Sequence, residues 1–268
     1  MELIKRSKRV IKNFSRNPGY YFGKVLDNVS HSKFRRRFLS ENGLEKYFLH
    51  KNGLEIGGPS RVFSGKGIFP IYRLLDSLDG CNFTTHTVWE GMIEQGSYHF
   101  YPGKTGNQFI CEGSLLGFSR DGQYDFLLSS HSLEHHANVI KTLKEWKRVV
   151  KAGGLLLIIV PEKRFTFDHK REYTKFEHFI EDEKRGTEED DLTHLEEILK
   201  LHDRSRDPGA GDAETFKKRG LDNYTNRCLH QHVFNFENLS QLASYLDLEI
   251  LTTKSIRPYH NIIFLKKK

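Results

Sequence analysis

No stretch of about 18 consecutive apolar residues occurs in this 268-residue chain, so neither a membrane-spanning helix nor a secretory signal is expected. Cysteine is scarce. Cys81, Cys111 and Cys228 lie far apart with no C-x-x-C spacing, which argues against a disulfide framework or a thiolate zinc site. Reduced packing residues in a cytoplasmic protein are the expectation. The phosphate-cradling pattern G-x-x-x-x-G-K-[ST] is missing, as is a full G-x-G-x-x-G, so no motif points to a nucleoside triphosphate or a dinucleotide. No internal repeat appears.

What the chain does have is positive charge, formally +7, and it is unevenly placed. Lys5, Arg6, Lys8, Arg9, Lys12, Arg16 and Arg35 to Arg37 precede residue 40, whereas residues 181–197 are strongly acidic. Clustered cations invite a nucleic-acid reading. The confinement of charge to one end, without an RNA-binding pattern among the aromatics, disfavours a nucleic-acid partner. Residues 1–49 read instead as a basic helical segment carrying Leu3, Ile4, Val10, Ile11 and Phe14. Such a segment suits peripheral contact with an anionic membrane surface or an anionic substrate; a solvated leader is the alternative.

From residue 50 the pattern alternates between strands and helices, the signature of a mainly parallel sheet covered on both faces. Candidate strands are Leu54 to Ile56, Phe83 to Trp89, Gln108 to Cys111, Tyr124 to Ser129, Leu155 to Val160, Leu248 to Ile256 and Asn261 to Leu265. The run from Leu155 to Val160 is the most apolar of the chain and fits a central strand buried on both faces. Val139, Leu143, Trp146 and Val150 recur at helical spacing, and Gly153 and Gly154 stop that helix. Residues 162–235 are too polar and too long for a simple loop. They read as a partly helical cap inserted after the fifth strand. The fold class is thus α/β: a three-layer sandwich over residues 50–268 with a seven-stranded sheet and a His-rich insertion.

A glycine turn directly after the first strand, Gly57 and Gly58, lets backbone approach a ligand at the carboxyl edge of the sheet. Carboxylates surround it in sequence: Glu55 before the turn, Glu90 after the second candidate strand, Glu112 with Gly113 after the third. This order of features, followed by His131 to His135 and by the run from Lys147 to Gly154, resembles the class I S-adenosylmethionine-dependent methyltransferases, in particular the methyltransferase type 11 group. The resemblance covers roughly residues 50–165. It implies a Rossmann-like fold, with Glu55, Gly57 and Gly58 at the methionine part of the cofactor, Glu90 at the ribose, and Glu112 and Gly113 beside the adenine. Two departures stand out: Gly-Gly-Pro-Ser replaces the usual Gly-x-Gly, and the spacing from Glu55 to Glu90 is long.

The insertion supplies candidates for chemistry. His131 ends the fourth strand, Asp168 lies just past the fifth, and His230 and His232 stand at strand spacing, which predicts two rings pointing the same way. Three readings remain open. One His or Asp of this set, His131, Asp168, His230 or His232, is a general base for a hydroxyl that attacks the sulfonium methyl. Alternatively, His194, His230, His232 and Asp191 bind a divalent metal, a cofactor the sequence does not favour. In the third reading the histidines are structural hydrogen-bonding groups. The sequence therefore predicts methyl transfer, by O-methylation, to a small-molecule or carbohydrate acceptor. A non-catalytic binding module and a metal-dependent enzyme are the alternatives.

Overall fold

The computed structural model describes residues 38–87, 91–93 and 95–268. The basic segment before residue 38 and Glu90 lie outside the described residues. Seven strands form one sheet: β1 (Asn52–Ile56), β2 (Ser77–Asn82), β3 (Gln108–Ile110), β4 (Tyr124–Ser130), β5 (Val150–Pro161), β6 (Leu248–Ile256) and β7 (His260–Lys267). Their order across the sheet is β6-β7-β5-β4-β1-β2-β3. The five strands β3, β2, β1, β4 and β5 pair in parallel, and β7 runs antiparallel to both β5 and β6.

Alternation along the central strands builds two apolar layers. On β5, Leu156, Ile158 and Val160 enter one core with Trp146 and Phe179, while Leu155, Leu157 and Ile159 enter the other with Phe48 and Phe126. The expectation of a strand buried on both faces is met, because a parallel strand flanked by neighbours has no solvent face. Helix α1 (Val139–Val149) covers the first layer through Val139, Ile140, Leu143, Trp146 and Val149; Asn138 caps it by accepting from Lys141 N at 3.0 Å. The helix ends at Val149 and β5 starts at once. Gly153 and Gly154 therefore lie within a strand irregularity that shifts the register from Tyr124 opposite Val150 to Phe126 opposite Leu155.

The second strand differs from expectation. β2 spans Ser77–Asn82, and the aromatic run after it contributes only the two-residue strand His86–Thr87, paired with Gly91–Met92. Packing decided this: Leu78 is fully buried against the second core, whereas Phe83 turns to the carboxyl edge of the sheet. The insertion holds α2 (Phe176–Arg185), α3 (Leu195–Leu201) and α4 (Ala213–Leu221), followed by a single helical turn at Asn223–Asn226 and an irregular stretch to α5 (Phe236–Tyr245). Its own apolar cluster is small, made of Ile198, Ala210, Phe216 and Leu229. No described helix is long and apolar enough to cross a membrane.

Candidate active site

Between β1 and β4 the winding direction of the sheet reverses, and a crevice opens at the carboxyl ends of such strands. A cavity of about 520 Å³ occupies that place. Its walls come from the ends of all five parallel strands: Ile56 and Gly57, Asn82 and Phe83, Glu112 and Gly113, Ser130 and His131, and Pro161. The insertion closes the opposite side with Phe165, Thr166, Phe167, Glu189, Arg206, Arg227 and His230.

Gly57, at φ +77°, makes the turn that only glycine takes without strain, and it lines the cavity. Glu55 and Gly58, expected beside it, do not. Strand parity sends Leu54 and Ile56 to one face and Glu55 to the other. There the Tyr72 and Tyr98 hydroxyls each donate to Oε2 at 2.7 Å and Ser60 N donates to Oε1 at 3.0 Å. Glu55 is completely buried; desolvation pushes its carboxyl above the ordinary range, against the opposing pull of these donors. Its role is to anchor the turn from below. Gly58 is required by that anchor, since a Cβ there would stand 2.1 Å from Tyr98 Oη and 2.3 Å from Glu55 Cδ. The carbonyl of Gly58 accepts from Asn82 Nδ2 at 3.0 Å, so Asn82 ties the first turn to the end of β2. Asn82 was not foreseen, because the second strand was expected further along.

Glu112 and Gly113 lie on the cavity wall as expected. Glu112 accepts from Arg227 Nη2 at 2.5 Å, and the same guanidinium donates to Glu189 Oε2 at 2.7 Å. Desolvation raises the Glu112 carboxyl and outweighs the pull of Arg227. Arg227 is 5% exposed and is also within cation–π range of Phe83 and Tyr224. A lone arginine in a polar stretch carries no sequence signal for such a place.

Three histidines, two from the segment after β4 and one from the insertion, surround a buried carboxylate. His131 adopts φ +54°, a strained backbone for a residue other than glycine, and its Nε2 lies 2.9 Å from His260 Nδ1. Its Nδ1 is 3.6 Å from Glu134 Oε1, an ion-pair distance. Glu134 is 1% exposed with no hydrogen bond to either carboxylate oxygen. Burial alone would raise its carboxyl, but His131, His135 and His230 together hold it below the usual range. His135 ends a single 3-10 turn, Leu133–His135, and lines the cavity wall, its ring 4.7 Å edge-on to His230. Burial lowers it to about 4.

Asp168 and His230 come together from opposite ends of the insertion: Asp168 Oδ2 lies 2.5 Å from His230 Nδ1, and Asp168 Oδ1 accepts from Arg171 Nη1 at 3.2 Å. Burial opposes ionisation of both partners, yet the pair wins. Asp168 is pulled down to about 2 and His230 is raised. His232 is not with them. The stretch from Cys228 to Phe234 is irregular, not a strand, so the two rings diverge: His230 faces the cavity, and His232 sits behind the wall with Nε2 on Ala137 O at 3.0 Å. It neighbours His178, Asp182 and His194, where burial, reinforced by nearby imidazoles, lowers both His194 and His232. Asp191 accepts from Thr193 and stands apart from that group. His202 packs on Phe167 and Phe216, away from His194.

The donor set suits a sulfonium amino acid carrying a nucleoside. A glycine turn admits close backbone approach, a buried ionised Glu134 without hydrogen-bond partners suits a cation, and Glu112 suits a diol. A family model described as a methyltransferase domain matches residues 64–158, from the loop after the first turn to the middle of β5. Among solved structures the chain is similar to a SAM-dependent methyltransferase from Methanosarcina mazei, at 16% identity over 83% of this chain and 95% of that one, TM-score 0.43. It is similar to another from Aquifex aeolicus, at 13% identity over 92% and 97%, TM-score 0.43. The trans-methyltransferase CalH, in complex with SAH, is similar at 12% identity over 85% of this chain and 54% of that one, TM-score 0.41. A search of curated proteins finds no match. The family match runs over residues 64–158 and so takes in β2, β3, β4 and the first part of β5, the strands whose ends build much of the cavity wall.

Proposed function

We propose that the chain is an S-adenosylmethionine-dependent methyltransferase that methylates a hydroxyl oxygen of a small-molecule acceptor, most specifically a carbohydrate, with His230 as general base and Asp168 as the residue that orients it. The observation that carries this reading is His230 on the cavity wall with the buried Asp168 carboxylate on its Nδ1. S-adenosylmethionine supplies an activated methyl, so what the protein must add for an oxygen nucleophile is positioning and proton removal. Asp168 on Nδ1 fixes the tautomer, which leaves Nε2 as the basic nitrogen and stabilises the imidazolium after the proton arrives. Carbon nucleophiles need no such pair for a hydroxyl proton.

The carbohydrate class is favoured by the roof of the cavity. Phe165, 38% exposed, offers an apolar face, and Thr166, Arg206 and Arg61 surround it with hydrogen-bonding groups. The test is radiolabelled methyl transfer from S-adenosylmethionine to a panel of sugars and simple phenols, with the product atom identified by NMR. O-methyl sugar product, lost in His230→Ala and retained with a shifted pH profile in Asp168→Asn, is expected. Methylation on carbon or nitrogen, or full activity in His230→Ala, would refute the reading.

A further inference from the structure

We propose that His178, Asp182, His194 and His232 form a four-ligand site for a divalent transition-metal ion, zinc fitting its donors best, built inside the insertion and separate from the cofactor cavity. The ligands come from three segments. His178 and Asp182 are one turn apart on α2, His194 immediately precedes α3, and His232 lies on the irregular stretch before α5. One donor atom from each falls within 4.8 Å of all the others. His178 Nε2 is 2.9 Å from His194 Nε2 and 3.2 Å from Asp182 Oδ2. Ligands bonded tetrahedrally at about 2.0–2.1 Å stand about 3.4 Å apart, so an ion needs only a small outward adjustment of these groups.

His232 is 1% exposed and its Nε2 faces a carbonyl, Ala137 O, which can only accept, so Nε2 carries the proton. Nδ1 is then a bare lone pair, and it has no hydrogen-bond partner. Asp182 is also 1% exposed. Its Oδ1 is occupied by Arg185 Nη2 at 2.6 Å and Thr187 Oγ1 at 3.2 Å, while Oδ2 has no hydrogen bond. A buried carboxylate oxygen without a hydrogen-bond donor is unfavourable alone and appropriate beside a cation, and His232 stands next to it, its Nε2 at 3.7 Å from Asp182 Oδ2. Behind the other two rings stand carboxylates: Glu181 Oε2 lies 3.9 Å from His178 Nδ1, and Glu197 Oε2 lies 3.8 Å from His194 Nδ1. A carboxylate or carbonyl behind each ligating imidazole is the usual outer support of a metal-bound histidine.

Four protein ligands leave no open position, which makes the site structural. Structure is also what this region is short of. Its private apolar cluster is small, Ile198, Ala210, Phe216 and Leu229 with Leu195 and Leu199 packed against them, and a metal would tie α3 of that cluster to α2 and the His232 stretch, which pack on the main core through Phe179 and Phe234. The set expected from sequence, with His230 and Asp191, shares only His194 and His232 with this one. His230 belongs to the cavity, where Glu134, His135 and His230 form the competing group for an ion.

The experiment uses the full chain, tag-free, dialysed against low-micromolar zinc. Elemental analysis is expected to find about one zinc per chain, chelator to lower Tm by about 10 °C, and zinc to restore it. Cobalt replacement should give the visible bands of a tetrahedral site. His194→Ala and the shape-conserving Asp182→Asn should lose the ion, whereas His230→Ala and the exposed control His99→Ala should keep it. A wild-type protein that retains no ion and shows no zinc-dependent Tm shift overturns the proposal. So does an ion kept by Asp182→Asn and lost by His230→Ala, which would place it in the cavity.

Discussion

Substituting Gly58 by alanine tests whether the glycine turn is shaped by the groups beneath it. The added Cβ would meet Tyr98 Oη at 2.1 Å, Glu55 Cδ at 2.3 Å and Glu55 Oε1 at 2.5 Å. Neither neighbour yields easily: Tyr98 is 1% exposed, and Glu55 is buried and held by three donors. Overpacking of a core costs about 1–3 kcal/mol. Moving the carboxylate gives up at least one hydrogen bond to a charged group, worth about 1.5–3 kcal/mol. The sum, about 2.5–6 kcal/mol, lowers Tm by about 5–24 °C in a domain of this size. Because Asn82 holds the Gly58 carbonyl at the edge of the cavity, affinity for S-adenosylmethionine should fall as well. Differential scanning fluorimetry and isothermal titration measure the two effects. Tyr98→Phe removes the nearest atom, so the cost of Gly58→Ala in that background should be smaller than in the wild type. Unchanged stability and cofactor affinity in Gly58→Ala would refute the idea that Glu55 and Tyr98 fix the turn.

The Asp168–His230 pair predicts a pH profile. His230 is raised above its ordinary 6.5, so the base form accumulates only above that value, and the rate should climb with pH along a limb lying above 6.5. Asp168→Asn should move that limb to lower pH and reduce the maximal rate; an unmoved limb would assign it to another group. The same pair shapes stability. The histidine contribution is complete below pH 6.5 and fades as pH rises through its raised pKa. The aspartate contribution is complete above about 4 and fades as pH falls through about 2. Denaturant titrations should therefore place the largest effect of Asp168→Asn between these limits, and an effect that grows with alkalinity would contradict the assignment. Arg227→Ala leaves Glu112 and Glu189 facing each other without their shared cation, a loss of about 3–5 kcal/mol for a buried pair. Thermal unfolding checks it, and a Tm within a degree or two of the wild type would show that the two carboxylates find other partners.

Fold class was legible because hydrophobic runs bounded by glycine and proline are local signals, and the central parallel strands need nothing else to be recognised. The run from Leu155 to Val160 and the closing pair β6 and β7 emerge where the pattern placed them. The second strand was not legible. Ser77–Asn82 has polar and glycine residues where a strand template wants branched ones, and its pairing is dictated by the neighbours β1 and β3. At the site, Gly57, Glu112, Gly113, His131, Asp168 and His230 share the cavity wall or its immediate support, since each lies at or after a strand end or in the insertion. Glu55 was misplaced by one step of strand parity. A carboxylate beside a glycine turn looks the same in sequence whether it faces ligand or core. The separation of His230 from His232 was equally hidden, because strand spacing has meaning only if the backbone is a strand.

The ties around Ala137 bear on how the insertion moves. His232 N donates to Glu134 O at 3.3 Å, Ala137 O is paired with His232 Nε2, and Ala137 N donates to Glu189 Oε2 at 3.2 Å. His135 Nδ1 adds Leu229 O at 3.0 Å, and Arg227 adds Glu112. These bonds join the insertion to the segment after β4 that carries Glu134 and His135, so the roof and the floor of the cavity share one hydrogen-bonded seam. A hinged lid would need that seam to open in each turnover, stranding several buried donors and acceptors at about 1–3 kcal/mol each. Hydrogen exchange should therefore protect the amides of Ala137 and His232 to a similar degree, and cofactor should raise both together. Fast exchange at His232 alone, with Ala137 protected, would mean that the insertion opens independently and that the seam does not couple it to the sheet.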